Sequence, residues 1–148
     1  MPTNPTATQD EAEIRRRLTA WTQALHAKDL NALMALYAAD VVTFDLMPPH
    51  QVPDAAHYRK NFERWFAVMP GPIDYEIRDL RITLSDSVAF CHSLSHVKGT
   101  RANGEKADYW VRVTVGFQKR NDQWLMVHDH VSMPLDMETM KAVRELRK

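Results

Sequence analysis

The sequence lacks several features that would assign a protein to a functional class at once. It has a single cysteine, Cys91, which excludes an intrachain disulfide and a cysteine-rich zinc site. Its 19 basic and 19 acidic residues give a formal net charge of +0, which does not favour nucleic acid or an anionic membrane as a partner. No apolar run approaches the roughly 18 residues of a membrane-spanning helix. The first ten residues carry no apolar signal core, so we expect a cytoplasmic protein.

The composition is otherwise that of a globular protein. The chain has 148 residues, of which 45% are apolar and 26% are charged, enough to bury a hydrophobic core within one domain. Residues 1–9 are rich in proline and threonine, and we predict that they form a loose tail. We expect residues 10–148 to form a single domain without a bound metal or organic cofactor.

Helical periodicity dominates the first part of the chain. Apolar residues at spacings of four, three and four predict one face of a helix, made of Ile14, Leu18, Trp21 and Leu25. Asp29 is predicted to cap a short second helix, and Asp54 a third. Between these caps, residues 41–44 predict a short strand that ends at Asp45.

Strand patterns fill the second half. The apolar residues change phase near residues 78–79, which predicts a β-bulge in the first long strand. The dipeptides at 103–104 (Asn-Gly) and 121–122 (Asn-Asp) predict two hairpin turns, and residues 136–147 predict a short terminal amphipathic helix. Together the elements predict an α+β fold: a cone-shaped barrel of strongly bent antiparallel sheet, packed on three N-terminal helices, with an internal pocket.

The two hairpin turns predict which side chains share the inner face of the sheet. With short turns at those dipeptides, Val115 pairs with His92 on one side and with His128 on the other. Val113 then pairs with His130. The inner face is therefore predicted to combine apolar side chains with four imidazoles, those of His92, His96, His128 and His130.

Imidazoles and a carboxylate in an apolar pocket are suited to general acid–base catalysis, because histidine titrates near neutral pH. We predict Asp45, at the pocket mouth, as the catalytic base, with His128 and His92 as acid or orienting groups. Two alternatives stay open: core histidines that pair only with backbone or serine, and a Zn²⁺ or Fe²⁺ site built from imidazoles and a carboxylate. The predicted pocket wall and substrate contacts are Trp21, Tyr37, Phe62, Trp65, Val113, Val115 and His130.

The opposite face of the sheet is predicted to be half apolar and half polar, which favours a subunit interface over open solvent. Its predicted apolar members are Trp110, Leu125, Val127 and Val131. Arg112 and Asp129 also lie on this face, where they can form an ion pair. We therefore expect a homodimer formed through the outer sheet face, a small apolar or aromatic ligand in the pocket, and no nucleic-acid or membrane partner.

Three stretches resemble one group of related families. WTQALHAKDL at 21–30 and ALYAADVVTFD at 35–45 are similar to the start of ketosteroid isomerases and SnoaL-like proteins. DQWLMVHDHVSMP at 122–134 resembles the end of ketosteroid isomerase homologues. These families share the fold of nuclear transport factor 2. The resemblance implies that fold from residue 10 onward.

The resemblance also implies a function. It places Asp45 at the isomerase's general base and Trp21 at its oxyanion-hole tyrosine. Val115 falls near the protonated oxyanion-hole aspartic acid and cannot donate a hydrogen bond, so steroid isomerisation itself is not expected. The resemblance implies an isomerase, cyclase or lyase, including a dehydratase variant, that acts by proton transfer. Because the fold hosts many functions, a non-catalytic ligand-binding or assembly domain is the alternative.

Overall fold

In the part of the chain that the structure describes, three helices form where apolar spacing and capping residues predict them. The computed structural model describes residues 5–146, and its helices are α1 (Pro5–Ala27), α2 (Leu30–Met34) and α3 (Ala55–Val68). The predicted apolar face of α1 is buried. The side chains of Asp29 and Asp54 accept backbone N–H groups in the first turns of α2 and α3, which confirms both caps.

Helix α1 begins earlier than the composition predicts. Residues 5–9 belong to the helix, so the prediction of a loose tail is wrong for them, and residues 1–4 lie outside the described residues. The start is anchored by Asp10, whose buried carboxylate accepts hydrogen bonds from Trp124 Nε1 at 3.0 Å and Lys119 Nζ at 2.9 Å. Those two contacts fix the first turns of α1 against the sheet.

Within residues 5–146, six strands form one open sheet. They are β1 (Tyr37–Phe44), β2 (Gln51–Val52), β3 (Asp74–Leu84), β4 (Val88–Thr100), β5 (Lys106–Arg120) and β6 (Gln123–Ser132). Their spatial order is β2-β1-β6-β5-β4-β3, with β1 parallel to β6 and every other pair antiparallel. The curved sheet packs on the helices with its inner face, which confirms the α+β prediction. The cone stays open, because β2 and β3 are edges.

The predicted bulge in β3 is confirmed. The register against β4 shifts between Arg78 and Arg81, and Asp79 between them has a positive φ of 53°. A bulge of this kind bends the strand and raises its local twist. It lets β3 curve over the cavity that the helices cover on the other side.

A second bulge, in β6, decides which of its side chains face inward. Near the turn the register is as predicted, with Phe117 opposite Met126. It then shifts, so that Gly116 pairs with His128 and Val115 pairs with Asp129. Val127 is the extra residue. Because side chains alternate along a strand, every later residue of β6 changes face.

The predicted register of β4 is also wrong by one residue. Cys91, not His92, pairs with Val115, and the series ends with Thr100 opposite Lys106. The loop between these strands therefore has five residues, 101–105, instead of the predicted two. An odd loop length reverses the faces of β4, which turns Cys91 inward and His92 outward.

The C-terminal segment does not form the predicted helix over 136–146, and residue 147 lies outside the described residues. It runs as an extended hairpin-like segment, with a bridge between Leu135 and Ala142 and a hydrogen bond from Trp110 N to Arg144 O at 2.8 Å. Met137, on the predicted apolar face, is 77% exposed, so tertiary packing of an apolar face does not stabilise a helix here. No helix within residues 5–146 is long and apolar enough to cross a membrane.

Candidate functional site

A cavity of about 220 Å³ lies between the helices and the inner face of the sheet. Its wall is mainly apolar and aromatic, supplied by α1, α3 and strands β3 to β6. The polar side chains in the wall are few: Asp45, Asn61, Ser93, Ser95, Arg101 and Asp129. An apolar cavity with a small number of placed polar groups is the usual form of a small-molecule site.

Asp129 is the buried acid of this cavity. The β6 bulge turns its side chain inward, where it is only 4% exposed. The hydroxyls of Tyr37 and Tyr58 each donate to its Oδ2 at 3.2 Å. Its Oδ1 has no hydrogen-bond partner among residues 5–146. One oxygen of the carboxyl group is thus held by protein, and the other is buried without a partner among residues 5–146.

The surroundings of Asp129 favour its protonated form. Burial raises the pKa of Asp129 to about 7, and the nearby charge of Asp45 adds to the increase. The hydrogen bonds from Tyr37 and Tyr58 act in the opposite direction, because they stabilise the carboxylate. A buried carboxyl group with a pKa near neutral pH can give or take a proton under physiological conditions.

Helix α1 supports this acid through a relay of hydrogen bonds. Trp21 Nε1 donates to the Tyr37 hydroxyl at 2.7 Å, and that hydroxyl donates to Asp129. Burial and the charge of Asp129 hold the pKa of both Tyr37 and Tyr58 well above the usual tyrosine value. The two phenols therefore remain neutral hydrogen-bond donors, and the orientation of the Asp129 carboxyl group is fixed.

Asp45 is the second carboxylate of the cavity and is half-buried at its mouth, directly after β1. Its Oδ2 accepts from Asn61 Nδ2 at 2.8 Å, and its Oδ1 accepts from Leu46 N at 2.7 Å. Arg64 donates to the Asn61 side-chain oxygen and to Pro48 O. That contact orients the Asn61 amide so that its NH₂ group faces Asp45.

Comparison with known proteins places this architecture in a family. A model of the SnoaL-like domain matches residues 14–136. The chain belongs to the SnoaL-like family. An NTF2-like protein of unknown function from Pseudomonas putida KT2440 is 31% identical, with 95% of this chain and 98% of that chain covered and a TM-score of 0.86. No curated protein matches the sequence.

More distant solved structures share the fold. A protein assigned as a candidate scytalone dehydratase from Novosphingobium aromaticivorans DSM 12444 is 15% identical, with coverages of 88% and 87% and a TM-score of 0.79. A candidate calcium/calmodulin-dependent protein kinase II association domain from Xanthomonas campestris is 23% identical, with coverages of 81% and 84% and a TM-score of 0.72. At such identities the likeness concerns the fold alone.

Several of the residues predicted for the pocket line the cavity of this SnoaL-like protein. Those that line it as predicted are Asp45, Trp21, Phe62, Trp65, Val113 and Val115. Tyr37 is buried behind Asp129 and acts on the site through its hydroxyl. The indole N–H of Trp21 donates to the Tyr37 hydroxyl and is therefore not available to a ligand in the predicted role of hydrogen-bond donor.

The predicted pocket histidines lie elsewhere, and their predicted positions are wrong. His92, His128 and His130 are on the outer sheet face, because the β6 bulge and the five-residue loop shift both registers by one. His128 Nδ1 lies 2.7 Å from Val42 O, and His96 stacks on Trp110 with ring centroids 4.4 Å apart. None of the four imidazoles is among the residues that line the cavity.

The same shifts overturn the predicted outer face. Val131 lines the cavity, and Arg112 donates to Ser132 Oγ at 3.2 Å instead of pairing with Asp129. Sequence reasoning thus missed Asp129 itself. A signal for Tyr58 and Asn61 was present, since they share the face of α3 that carries Phe62. Within residues 5–146, no group of three or more His, Cys, Asp or Glu side chains could hold a metal ion.

Proposed function

We propose that this SnoaL-like protein is a proton-transfer enzyme of the isomerase or dehydratase type, acting on a small apolar or aromatic molecule. The observation that carries the proposal is the buried acid Asp129, whose Oδ1 is unpartnered among residues 5–146, in a cavity that also contains Asp45. Two carboxyl groups with different surroundings are suited to the separate roles of acid and base. Asp129 is the acid, and Asp45 is the base.

Asp129 acts from a defined oxygen. Its Oδ2 accepts hydrogen bonds from two tyrosines, so the proton of the neutral carboxyl group resides on Oδ1. From there it donates to a substrate oxygen, either a carbonyl that becomes an enol or a hydroxyl that leaves as water. Such a donor is strongest in an apolar cavity, where little water competes for it.

Asp45 takes a proton from a substrate carbon. Its hydrogen bonds to Asn61 and to the Leu46 N–H hold it at the cavity mouth. In an isomerisation, Asp45 returns that proton to another carbon as the enol collapses, and the enol hydroxyl returns its proton to Asp129. In a dehydration, the C–H electron pair forms the double bond, the C–O bond breaks, and the Asp129 proton leaves with the hydroxyl as water; solvent then restores both carboxyl groups.

The dehydratase form of this proposal is supported by the fold shared with the candidate scytalone dehydratase, as an analogy between distant relatives. In this proposal Asp129 replaces His128 and His92 as the acid that acts together with Asp45. Those imidazoles on the outer face have no part in the proposed reaction.

Benzisoxazole ring opening tests the base without the natural substrate, because it requires removal of one carbon-bound proton. We expect Asp45→Asn to lower the rate on the order of 10²–10⁴-fold, the usual contribution of a general base. The double variant Asp45→Asn/Asp129→Asn should lose little more than the worse single variant, since residues that act as a unit are non-additive. Asp86→Asn, an exposed turn residue, is the matched control. Equal rates for wild type and Asp45→Asn would refute the proposal.

A second candidate function, a ligand-binding or assembly domain, is favoured by one observation on the outer face. Val42, Phe44, Val88 and Phe90 are large apolar side chains exposed there. The structural neighbour from Xanthomonas campestris is described as an association domain. We propose that this outer face forms a homodimer, which is compatible with either function of the cavity.

A further inference from the structure

We infer that the substrate carries a carboxylate and that Arg101 binds it. This inference names the substrate class of the proposed reaction and therefore rests on it. Arg101 lines the cavity and is half-buried. Across residues 5–146 its guanidinium group makes no hydrogen bond and no ion pair, although Asp45 lines the same cavity. Arginine in an apolar wall without a carboxylate partner is suited to a ligand that supplies one.

The backbone around Arg101 is fixed. Its N–H donates to Glu105 O at 2.8 Å, and its carbonyl accepts from Gly104 N at 2.9 Å. The next residue, Ala102, donates to Val68 O at 2.8 Å, which attaches the loop to the end of α3. Gly104 permits this closed loop because its φ is +86°, a region that side chains disfavour. The guanidinium group is therefore presented from a rigid loop, which lowers the entropy cost of binding an anion.

The charge of Arg101 acts on a residue of the cavity wall. Burial raises the pKa of the Tyr109 hydroxyl, the charge of Arg101 opposes this increase, and the charge of Asp45 adds to it. Tyr109 lines the cavity, so Arg101 and Asp45 act on one region of the wall. A substrate carboxylate at Arg101 thus lies in the same cavity as the proposed base. The aromatic and aliphatic wall accommodates the rest of the molecule, which gives a small aromatic or alicyclic carboxylic acid as the substrate class.

Two probes of nearly equal shape test this inference: 2-naphthoate, which is anionic, and 2-naphthamide, which is neutral. Titration calorimetry at pH 6 keeps the naphthoate ionised, because ordinary carboxylic acids have pKa values of about 4. We expect naphthoate to bind wild type roughly 10- to 100-fold more tightly than naphthamide, the usual effect of a hydrogen bond between charged groups. Arg101→Gln should abolish this preference, and Arg101→Lys should retain part of it.

Arg81→Gln is the matched control, because Arg81 is exposed and pairs with His92 on the outer face. It should leave the preference unchanged. Equal affinities of the two probes for wild type, no binding of naphthoate, or a preference that survives Arg101→Gln would each overturn the inference. If Arg101→Gln does not fold, the wild-type ratio and Arg101→Lys decide the question. Wild-type benzisoxazole activity with no carboxylate preference refutes the Arg101 inference alone. A carboxylate preference in a wild type whose benzisoxazole rate equals that of Asp45→Asn refutes the proposed reaction alone.

Discussion

Val115 pairs with Asp129 across β5 and β6, and this pairing places a carboxyl group in the cavity. In a regular ladder without the bulge at Val127, Val115 would pair with His128. The bulge therefore changes the chemistry of the wall from an imidazole to a carboxyl group whose pKa burial raises to about 7. The consequences of this acid can be measured through protein stability and through the titration of the carboxyl group itself.

Replacing Asp129 with asparagine should change how stability depends on pH. The pKa of Asp129 is about 7 in the folded protein and near 3.8 when the chain is unfolded. Between these values the folded state holds the extra proton, so the free energy of unfolding falls as pH rises from about 4 to about 7 and levels off above that. An asparagine side chain does not titrate, so Asp129→Asn should be stabilised relative to wild type most at pH 8, by an amount on the order of a few kcal/mol at most. Urea unfolding at pH 5 and pH 8 measures this; the same difference at both values would contradict it.

Removing the charge of Asp45 should make Asp129 a stronger acid. The Asp45 carboxylate is the second cause, after burial, of the raised pKa of Asp129. In Asp45→Asn that repulsion is absent, so the Asp129 titration should move to lower pH. Nuclear magnetic resonance of the carboxyl carbon follows the midpoint directly. Asp86→Asn serves as the control, and an unchanged Asp129 midpoint in Asp45→Asn would show that the two carboxyl groups do not interact.

Removing a tyrosine donor should have the opposite effect. Tyr58→Phe deletes one of the two hydrogen bonds to Asp129 Oδ2, and those bonds stabilise the carboxylate. The pKa of Asp129 should therefore rise above its wild-type value. Tyr75→Phe is the matched control, because Tyr75 lines the same cavity but is not one of the two donors to Asp129. A lower Asp129 midpoint in Tyr58→Phe would mean that the hydroxyl does not donate to it.

The fold was predictable because its signals are periodic and local. The spacing from Ile14 to Leu25 and the caps at Asp29 and Asp54 depend only on neighbouring residues, and all are present in the structure. The bulge in β3 was predictable because alternating apolar residues precede and follow it, and the two alternations are out of phase. The family resemblance added Asp45, whose place at the end of β1 is as expected.

The site was less predictable because side chains alternate between the two faces of a strand, so an error of one residue in register puts a side chain on the wrong face. The dipeptide Asn103-Gly104 favours a two-residue turn. Instead, backbone hydrogen bonds between Arg101 and both Glu105 and Gly104 close a five-residue loop. At Val127 nothing in the sequence marks the extra residue. Each change shifts the register between two strands by one residue and so exchanges the inner and outer faces of the affected strand. His92 and His128 therefore face outward, and Asp129 faces the cavity.

On the outer face, Phe90 of β4 and Val42 of β1 lie on one row of paired residues through Gly116 and His128. They are 47% and 42% exposed. If this face forms a homodimer, Phe90→Asp places a charge in a dry interface, and we expect it to yield a monomer with an intact cavity. Sedimentation at micromolar concentration measures the change, and Met137→Asp, at an exposed apolar side chain outside the sheet, should remain dimeric. Stable interfaces bury roughly 800 Å² per partner, so a wild-type protein that already sediments as a monomer would show that this face is not sufficient.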